Sequence, residues 1–285
     1  MHRRLLGLIA AAFLGTATLT AASASTASAA PAPAPPKLAV DYTGIVALSN
    51  CSGSLVRTPS AVDSDPALVL TNGHCYEGGM PSAGQVITNQ PSSRTFTLLD
   101  PSGQGTLGTL HATTVLYSTM TDTDVTLYKL DTSYASIQQS YNTHALELSL
   151  DHPTAGTDLR VVSGYWRRTY SCSLDGFAYQ LREDQWTFKD SVRYTSSCDI
   201  IGGTSGSPVI DAGSGKVIAV NNTINESGGQ CTLNNPCEVD ESGNVTVHPN
   251  IGYAQETYIL SACIAPGSVL DFTRPGCTVP HAQRR

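Results

Sequence analysis

The stretch of this sequence best equipped for chemistry is Cys198-Asp-Ile-Ile-Gly-Gly-Thr-Ser-Gly-Ser-Pro-Val209, which sets one hydroxyl, that of Ser205, among small residues and a rigid proline. A serine alcohol is a poor nucleophile at neutral pH. It needs a base to take its proton and donors to hold the charge that develops on an attacked carbonyl oxygen. Gly203 suits the second need, because without a Cβ it can turn its backbone N–H towards the same point as the N–H of Ser205. Gly206 lets the chain fold sharply behind the hydroxyl. Alone, such a run would read as a glycine-rich turn.

Two further motifs lie upstream. Leu70-Thr-Asn-Gly-His74-Cys75 supplies an imidazole, and Thr121-Asp-Thr-Asp124-Val-Thr-Leu-Tyr-Lys-Leu130 supplies a carboxylate at the head of an apolar strand, so the chain order is His, Asp, Ser. In this order and setting the chain resembles the chymotrypsin-like (trypsin-fold) serine endopeptidases, in particular their secreted bacterial branch. That family's histidine precedes a cysteine, its aspartate opens an Asp-Val/Ile-x-Leu strand, and its serine sits in Gly-x-Ser-Gly-Gly/Ser-Pro. All three motifs match, spanning about 45–220. The ordered triple is far more specific than any one motif.

The resemblance implies an all-β fold of two six-stranded antiparallel β-barrels of the chymotrypsin type with a short C-terminal helix. It implies His74, Asp124 and Ser205 as the catalytic residues and the N–H groups of Gly203 and Ser205 as the oxyanion hole. An imidazole, with an ordinary pKa near 6.5, suits the transfer of the serine proton to the leaving amine. Asp122 would share a strand face with Asp124, but only Asp124 directly precedes the apolar run, which leaves Asp122 as a turn or capping residue. His111, His144, His152 and His248 have no matching context. A lipase-type elbow is excluded, because Gly-x-Ser-x-Gly would need glycine where Ser207 stands and the order in that fold is Ser, Asp, His.

For substrate binding the resemblance points to Asp199, six residues before Ser205, and to Asn221 and Asn222 on the strand after it. Trypsins carry a carboxylate at the Asp199 spacing to bind Arg or Lys, but with a cysteine between it and the serine, whereas Cys198 precedes Asp199 here. The glutamate-specific branch carries a histidine on the strand after the serine, and 217–222 has none. Thr204 stands where animal trypsins have an aspartate before the nucleophile, and no Ile-Val-Gly-Gly start follows the linker. No activation by a new N-terminal ammonium is therefore expected.

The elements that must position these groups follow from the rest of the chain. Met1-His-Arg-Arg, an apolar Leu5 to Leu14 run and Ala27-Ser-Ala29 have the layout of a secretory signal peptide over residues 1–29. Residues 30–37 are a stiff Pro/Ala-rich linker. An N-terminal barrel with His74 and Asp124 is expected over 38–140 and a C-terminal barrel with Ser205 over 141–285. Short apolar runs at 44–49, 53–57, 67–71, 95–99, 107–118 and 125–130 read as antiparallel strands. A short helix at 134–141 falls in the crossover. The second half continues with strands at 158–163, 177–182, 186–194, 208–210 and 216–221, a turn at 211–215, an exposed loop at 226–248 and a helix at 255–264.

Loss of residues 1–29 removes Arg3 and Arg4, leaving 14 basic against 23 acidic residues, so the formal charge goes from −7 to −9. An acidic chain does not offer the basic face that nucleic acid needs. Eight cysteines in an exported chain imply four disulfides, and spacing alone allows 105 pairings. The resemblance implies Cys51 with Cys75 around His74. Cys172 with Cys198 would tie the region before the serine loop, and Cys231–Cys237 and Cys263–Cys277 are the natural short closures. Without a Cys-x-x-Cys pair, a cysteine zinc site is disfavoured. The expectation is a secreted, extracellular, monomeric serine endopeptidase acting on protein or peptide, with no cofactor, no metal, no nucleic acid and no membrane contact once the signal is removed. The alternative is a catalytically silent protease-fold binding module at the cell surface.

Overall fold

The computed structural model describes residues 40–281; the expected signal peptide, the linker and the first two residues of the N-terminal barrel lie outside them. The first half folds into strands β1 Ile45–Ala47, β2 Ser52–Arg57, β3 Pro66–Thr71, β4 Val86–Pro91, β5 Thr95–Leu99, β6 Thr106–Thr119 and β7 Val125–Ser133, then helix α1 Tyr134–Tyr141 and β8 Leu146–Glu147. The second half holds β9 Asp158–Ser163, β10 Arg168–Glu183, β11 Trp186–Tyr194, β12 Pro208–Asp211, β13 Val217–Ile224, β14 Cys237–Val239, β15 Val245–Thr246, β16 Gly252–Glu256, α2 Tyr258–Ser261, β17 Ile264–Ala265 and β18 Val269–Leu270.

In the first half the strands run β1-β5-β6-β7-β3-β2, and pairing of β1 with β2 closes a six-stranded antiparallel ring. In the second half the order β11-β16-β13-β12-β9-β10 is closed by pairing of β10 with β11. Closure leaves no ring edge unpaired, which is how β-rich chains avoid adding strands from outside. The fold is the two-barrel, chymotrypsin-like architecture expected from the motifs.

Why the strand sequences are continuous apolar runs rather than alternating ones is visible in β3. Ala67 and Val69 point into the first barrel, beside Phe96, Leu98 and Tyr128. Leu68 and Leu70 point the other way, into a core shared with Val162, Ile210, Val217 and Val220 of the second half. A strand buried on both faces has no polar face to show. This shared core fixes one barrel against the other, and so fixes His74 and Asp124 against Ser205.

Several elements depart from the sequence reading. The expected helix over 255–264 shrinks to α2, because Gln255 and Glu256 belong to β16 and pair with Val220 and Ala219. Ring closure needs that sixth strand, and pairing outweighs the local helical spacing. Glu256 is buried there at 4% exposure. Its burial, with Asp190 nearby, pushes its carboxyl up to about 9. The 226–248 segment is not wholly an exposed loop, since Cys237 and Val239 are buried where β14 pairs with β10. Strand β10 extends further upstream than 177–182, and β4, paired with β6 outside the ring, had no clear strand signal. All four expected disulfides are present: Cys51–Cys75, Cys172–Cys198, Cys231–Cys237 and Cys263–Cys277.

Candidate active site

His74 sits in a single 3-10 turn, Gly73–Cys75, directly after β3. The turn is pressed against its surroundings: a Cβ on Gly73 would lie 2.0 Å from the Thr119 carbonyl oxygen and 2.8 Å from Asp124 Oδ1. No other residue fits there. The adjoining Cys75 is tied to Cys51. Asp124 is fully buried at the start of β7 and accepts two bonds from His74, one from its backbone N–H at 2.9 Å and one from Nδ1 at 2.7 Å. Asn72 Nδ2 donates to the Asp124 carbonyl oxygen at 2.9 Å. With Nδ1–H donated to a carboxylate, the lone pair of Nε2 is left free to take a proton. Burial by itself lowers the His74 pKa, but the Asp124 charge, the hydrogen bond to it and the charge of Glu183 outweigh burial and hold it above the ordinary 6.5.

Asp122 takes a left-handed turn conformation, φ 59°, and its carboxylate pairs with Lys189 Nζ at 2.8 Å. Only Asp124 of the two meets His74.

Ser205 lies between Cys198 and β12 on a loop held by main-chain bonds. Thr204 N donates to Ile201 O, Ser207 N to Thr204 O, and Gly206 N to Asn221 O at 2.9–3.1 Å. Ser52 N of the first barrel donates to Ser205 O at 2.8 Å. Gly206 adopts φ 78°, and a Cβ there would lie 2.2 Å from both Ser52 O and Thr71 Oγ1. The Ser205 hydroxyl donates to Asn222 O at 3.4 Å, a long bond that leaves it easy to redirect. His74, Asp124 and Ser205 all line one cavity.

Gly203 has φ 86°. The carbonyl of Gly202 before it accepts a bond from Trp166 Nε1 at 2.8 Å. The peptide is trans, so its N–H points opposite to its carbonyl, and the Gly203 N–H is turned away from the indole. Trp166 stands in the β9–β10 turn, which is anchored by Ser52 Oγ: that oxygen contacts Ser163 Oγ at 2.9 Å and accepts Tyr165 N at 3.1 Å.

Of the three residues expected at the substrate, the structure brings two to the cavity. Asn221 and Asn222 both line it. Asn221 is spent on the loop itself: its Nδ2 donates to Thr204 O and Oγ1, both at 3.1 Å, and its Oδ1 accepts Tyr194 OH at 3.0 Å. Asn222 Nδ2 is buried without a partner among the described residues. Asp199 is exposed and is not among the residues lining this cavity. It directly follows Cys198, which is disulfide-bonded to Cys172.

The acidic groups that line the cavity beside Asp124 are Glu183 and Glu226. Glu183 is buried, accepts Asn234 N at 2.7 Å, and has its carboxyl pushed up by burial. Sequence reasoning missed both glutamates and Trp166. They arrive from a hairpin end, a loop and a turn, and nothing in their local sequence marks them.

A family model described as a trypsin-like peptidase domain matches residues 51–220. No curated protein matches the chain. Among solved structures, the active form of the Rv3671c protease from M. tuberculosis is 15% identical, over 90% of this chain and 97% of that one, with a TM-score of 0.47. The MamO protease domain from Magnetospirillum magneticum is 12% identical over 78% and 95%, with a TM-score of 0.46. The thermostable serine protease AL20 from an extremophilic microorganism is 18% identical over 76% and 91%, with a TM-score of 0.43.

Proposed function

The chain belongs to the trypsin-like peptidase family, and on that premise we propose that it is an active serine endopeptidase working through an acyl-enzyme. The observation that carries this is the pair of bonds by which buried Asp124 holds His74, in a cavity that Ser205 shares.

In this reading His74 Nε2 takes the Ser205 proton as Oγ attacks the peptide carbonyl carbon. Asp124 stays ionised, fixing the tautomer and stabilising the imidazolium. The developing oxyanion is met by the N–H groups of Gly203 and Ser205, and Trp166 fixes the orientation of the peptide that carries the Gly203 N–H by holding the carbonyl behind it. His74 then protonates the leaving amine, leaving an acyl group on Ser205. A water molecule, deprotonated by His74, attacks that ester and frees the enzyme.

No zymogen cleavage is required: Thr204, where an ammonium-binding aspartate would stand, is already held by Asn221. Substrates are proteins or peptides. The proposed setting is extracellular, after removal of residues 1–29, with the protein working as a monomer of two lobes at 38–140 and 141–285. Four disulfides suit an oxidising compartment, and no helix among the described residues is long and apolar enough to cross a membrane.

Treatment with a fluorophosphonate probe, alongside a casein digestion, tests the reading. Ser205 is expected to be labelled and casein cleaved. A folded protein that shows neither leaves only the silent binding module.

A further inference from the structure

Away from the Ser205 cavity, three side chains from separate parts of the chain converge: His152 from the segment between β8 and β9, Asp190 from β11 and Glu256 from the end of β16. None of them lines the cavity that holds Ser205. His152 Nδ1 lies 2.7 Å from the Pro153 carbonyl oxygen. A carbonyl can only accept, so Nδ1 carries the hydrogen, and a neutral ring presents a bare Nε2 lone pair to the other two groups. That lone pair faces Asp190 Oδ2 at 3.0 Å and Glu256 Oε1 at 3.1 Å. With both carboxylates ionised, three acceptors point at one another.

Glu256 makes this arrangement costly. Its side chain is 3% exposed. Its Oε1 is buried without a hydrogen-bond partner among the described residues and is aimed into the cluster, 3.1 Å from His152 Nε2. No lysine or arginine among the described residues pairs with either carboxylate. A buried carboxylate oxygen without a partner is expensive, and a cation placed among the three lone pairs satisfies all of them at once.

We propose that His152 Nε2, Asp190 Oδ2 and Glu256 Oε1 form a binding site for a divalent cation of the zinc type. The spacing fits. Zinc bonds of about 2.0–2.1 Å in a tetrahedron set neighbouring ligand atoms about 3.3 Å apart, against the 3.0 and 3.1 Å found from Nε2 to the two oxygens. The imidazole is held in place from several sides. It packs on Phe177 at 4.6 Å and Tyr258 at 5.4 Å between centroids, and its other nitrogen is bonded to a backbone carbonyl, the outer contact that metal-bound histidines use to fix their tautomer. One imidazole and two carboxylates suit zinc better than calcium, which takes six to eight oxygens. His152 and Asp190 are each about half exposed, so water completes the coordination. No metal signal was visible in the chain because residues 152, 190 and 256 share no motif spacing. The ion would clip the crossover segment to two strands of the second ring.

The test is a ZnCl2 titration of the chelator-treated full chain, followed by calorimetry and by thermal unfolding. One zinc per chain is expected, with a Tm rise of about 5–10 °C at a hundredfold excess over Kd. His152→Gln, Glu256→Gln and Asp190→Asn should each weaken binding at least tenfold, with folding checked by circular dichroism. Asp190→Asn, at a half-exposed side chain, keeps the test open if a change at Glu256 prevents folding. No saturable binding to the wild-type chain, zinc affinity unchanged in all three variants, or an equal shift with CaCl2 would each overturn the proposal. The site stands apart from the peptidase reading: Ser205→Ala should bind zinc as the wild type does, and a chain that binds zinc but cleaves nothing refutes only the peptidase.

Discussion

In the first barrel the imidazole and the carboxylate are bonded to each other, with Asp124 fully buried and taking both N–H groups of His74. In the second barrel the hydroxyl has only a 3.4 Å bond to a carbonyl, and the bonds that place it belong to the main chain of its loop. The difference follows from what each group does in the proposed reaction. A base must keep one tautomer and one orientation throughout, which charge-assisted bonds in a dry site secure. A nucleophile must swing from base to substrate, so its side chain is left loose while its backbone is pinned. The bond that ties the nucleophile's loop to the first barrel is itself main chain, Ser52 N to Ser205 O at 2.8 Å.

Removing the loose partner gives the sharpest contrast. Ser205→Ala should cost on the order of a million-fold in kcat, while thermal unfolding stays close to wild type, because the backbone bonds that hold the loop do not involve the hydroxyl. A large loss of stability in this variant would show that the side chain does more than react.

Asp124→Asn should cost roughly ten-thousand-fold in kcat, since an amide can hold the wrong tautomer. The pH profile sharpens this. His74 works only when neutral and its pKa is raised above 6.5, so kcat/KM in the wild type should climb with pH through a midpoint above 6.5. Burial opposes the protonated form, while the Asp124 charge and hydrogen bond favour it. In Asp124→Asn the burial effect is left less opposed, and the midpoint should move down. Glu183→Gln should move it the same way by less, as Glu183 is the weakest of the raising influences. A midpoint that stays put in Asp124→Asn would break the assignment of Asp124 as the partner.

The same contrast separates what the sequence shows from what it hides. His74, Asp124 and Ser205 were legible because each needs a fixed local frame: Gly73 where no Cβ fits, Asp124 at a strand start, Gly206 at positive φ. The six ring strands of the first half were legible as apolar runs between turns. Strand β16 was not, since Gly252-Tyr-Ala-Gln-Glu256 acquires its state from pairing with β13 and β11 rather than from its own pattern. Asn221 and Asn222 were read as lining the cavity, but the rest of its wall was hidden for the same reason. Asp199 had the spacing of a pocket residue but is exposed and not among the residues lining this cavity, while Glu183 and Glu226 reach it through the fold alone.

Cutting the covalent support of the first barrel should have a smaller effect on catalysis and a larger one on the fold. Replacing Cys51 and Cys75 together by Ala should lower stability by about 2–5 kcal/mol, read by urea unfolding. Their disulfide adjoins His74, whereas Cys231–Cys237 closes a segment of only six residues in the second half. Loop-closure entropy grows with loop length, so the second pair should contribute less. An equal loss from both pairs would contradict this ranking by loop length.

The smallest expected effect tests the loosest part of the second barrel, the peptide between Gly202 and Gly203. Its carbonyl is anchored by the indole N–H of Trp166 at 2.8 Å, from a side chain that is 48% exposed. A neutral hydrogen bond is worth about 0.5–1.5 kcal/mol net, and water can replace part of it here. Trp166→Phe, which keeps an aromatic ring but loses the donor, should therefore lower kcat by about threefold to tenfold. If, as proposed, the anchored peptide acts on the oxyanion and not on the bound substrate, KM should hold, and a peptidyl boronate, whose tetrahedral adduct occupies the oxyanion site, should lose affinity by the same factor. The pH midpoint set by His74 should not move, as Trp166 is not among the groups that shift it. A change in KM with kcat and boronate affinity intact would place Trp166 against the substrate instead, and an unchanged enzyme would show that the glycines hold the oxyanion site without it.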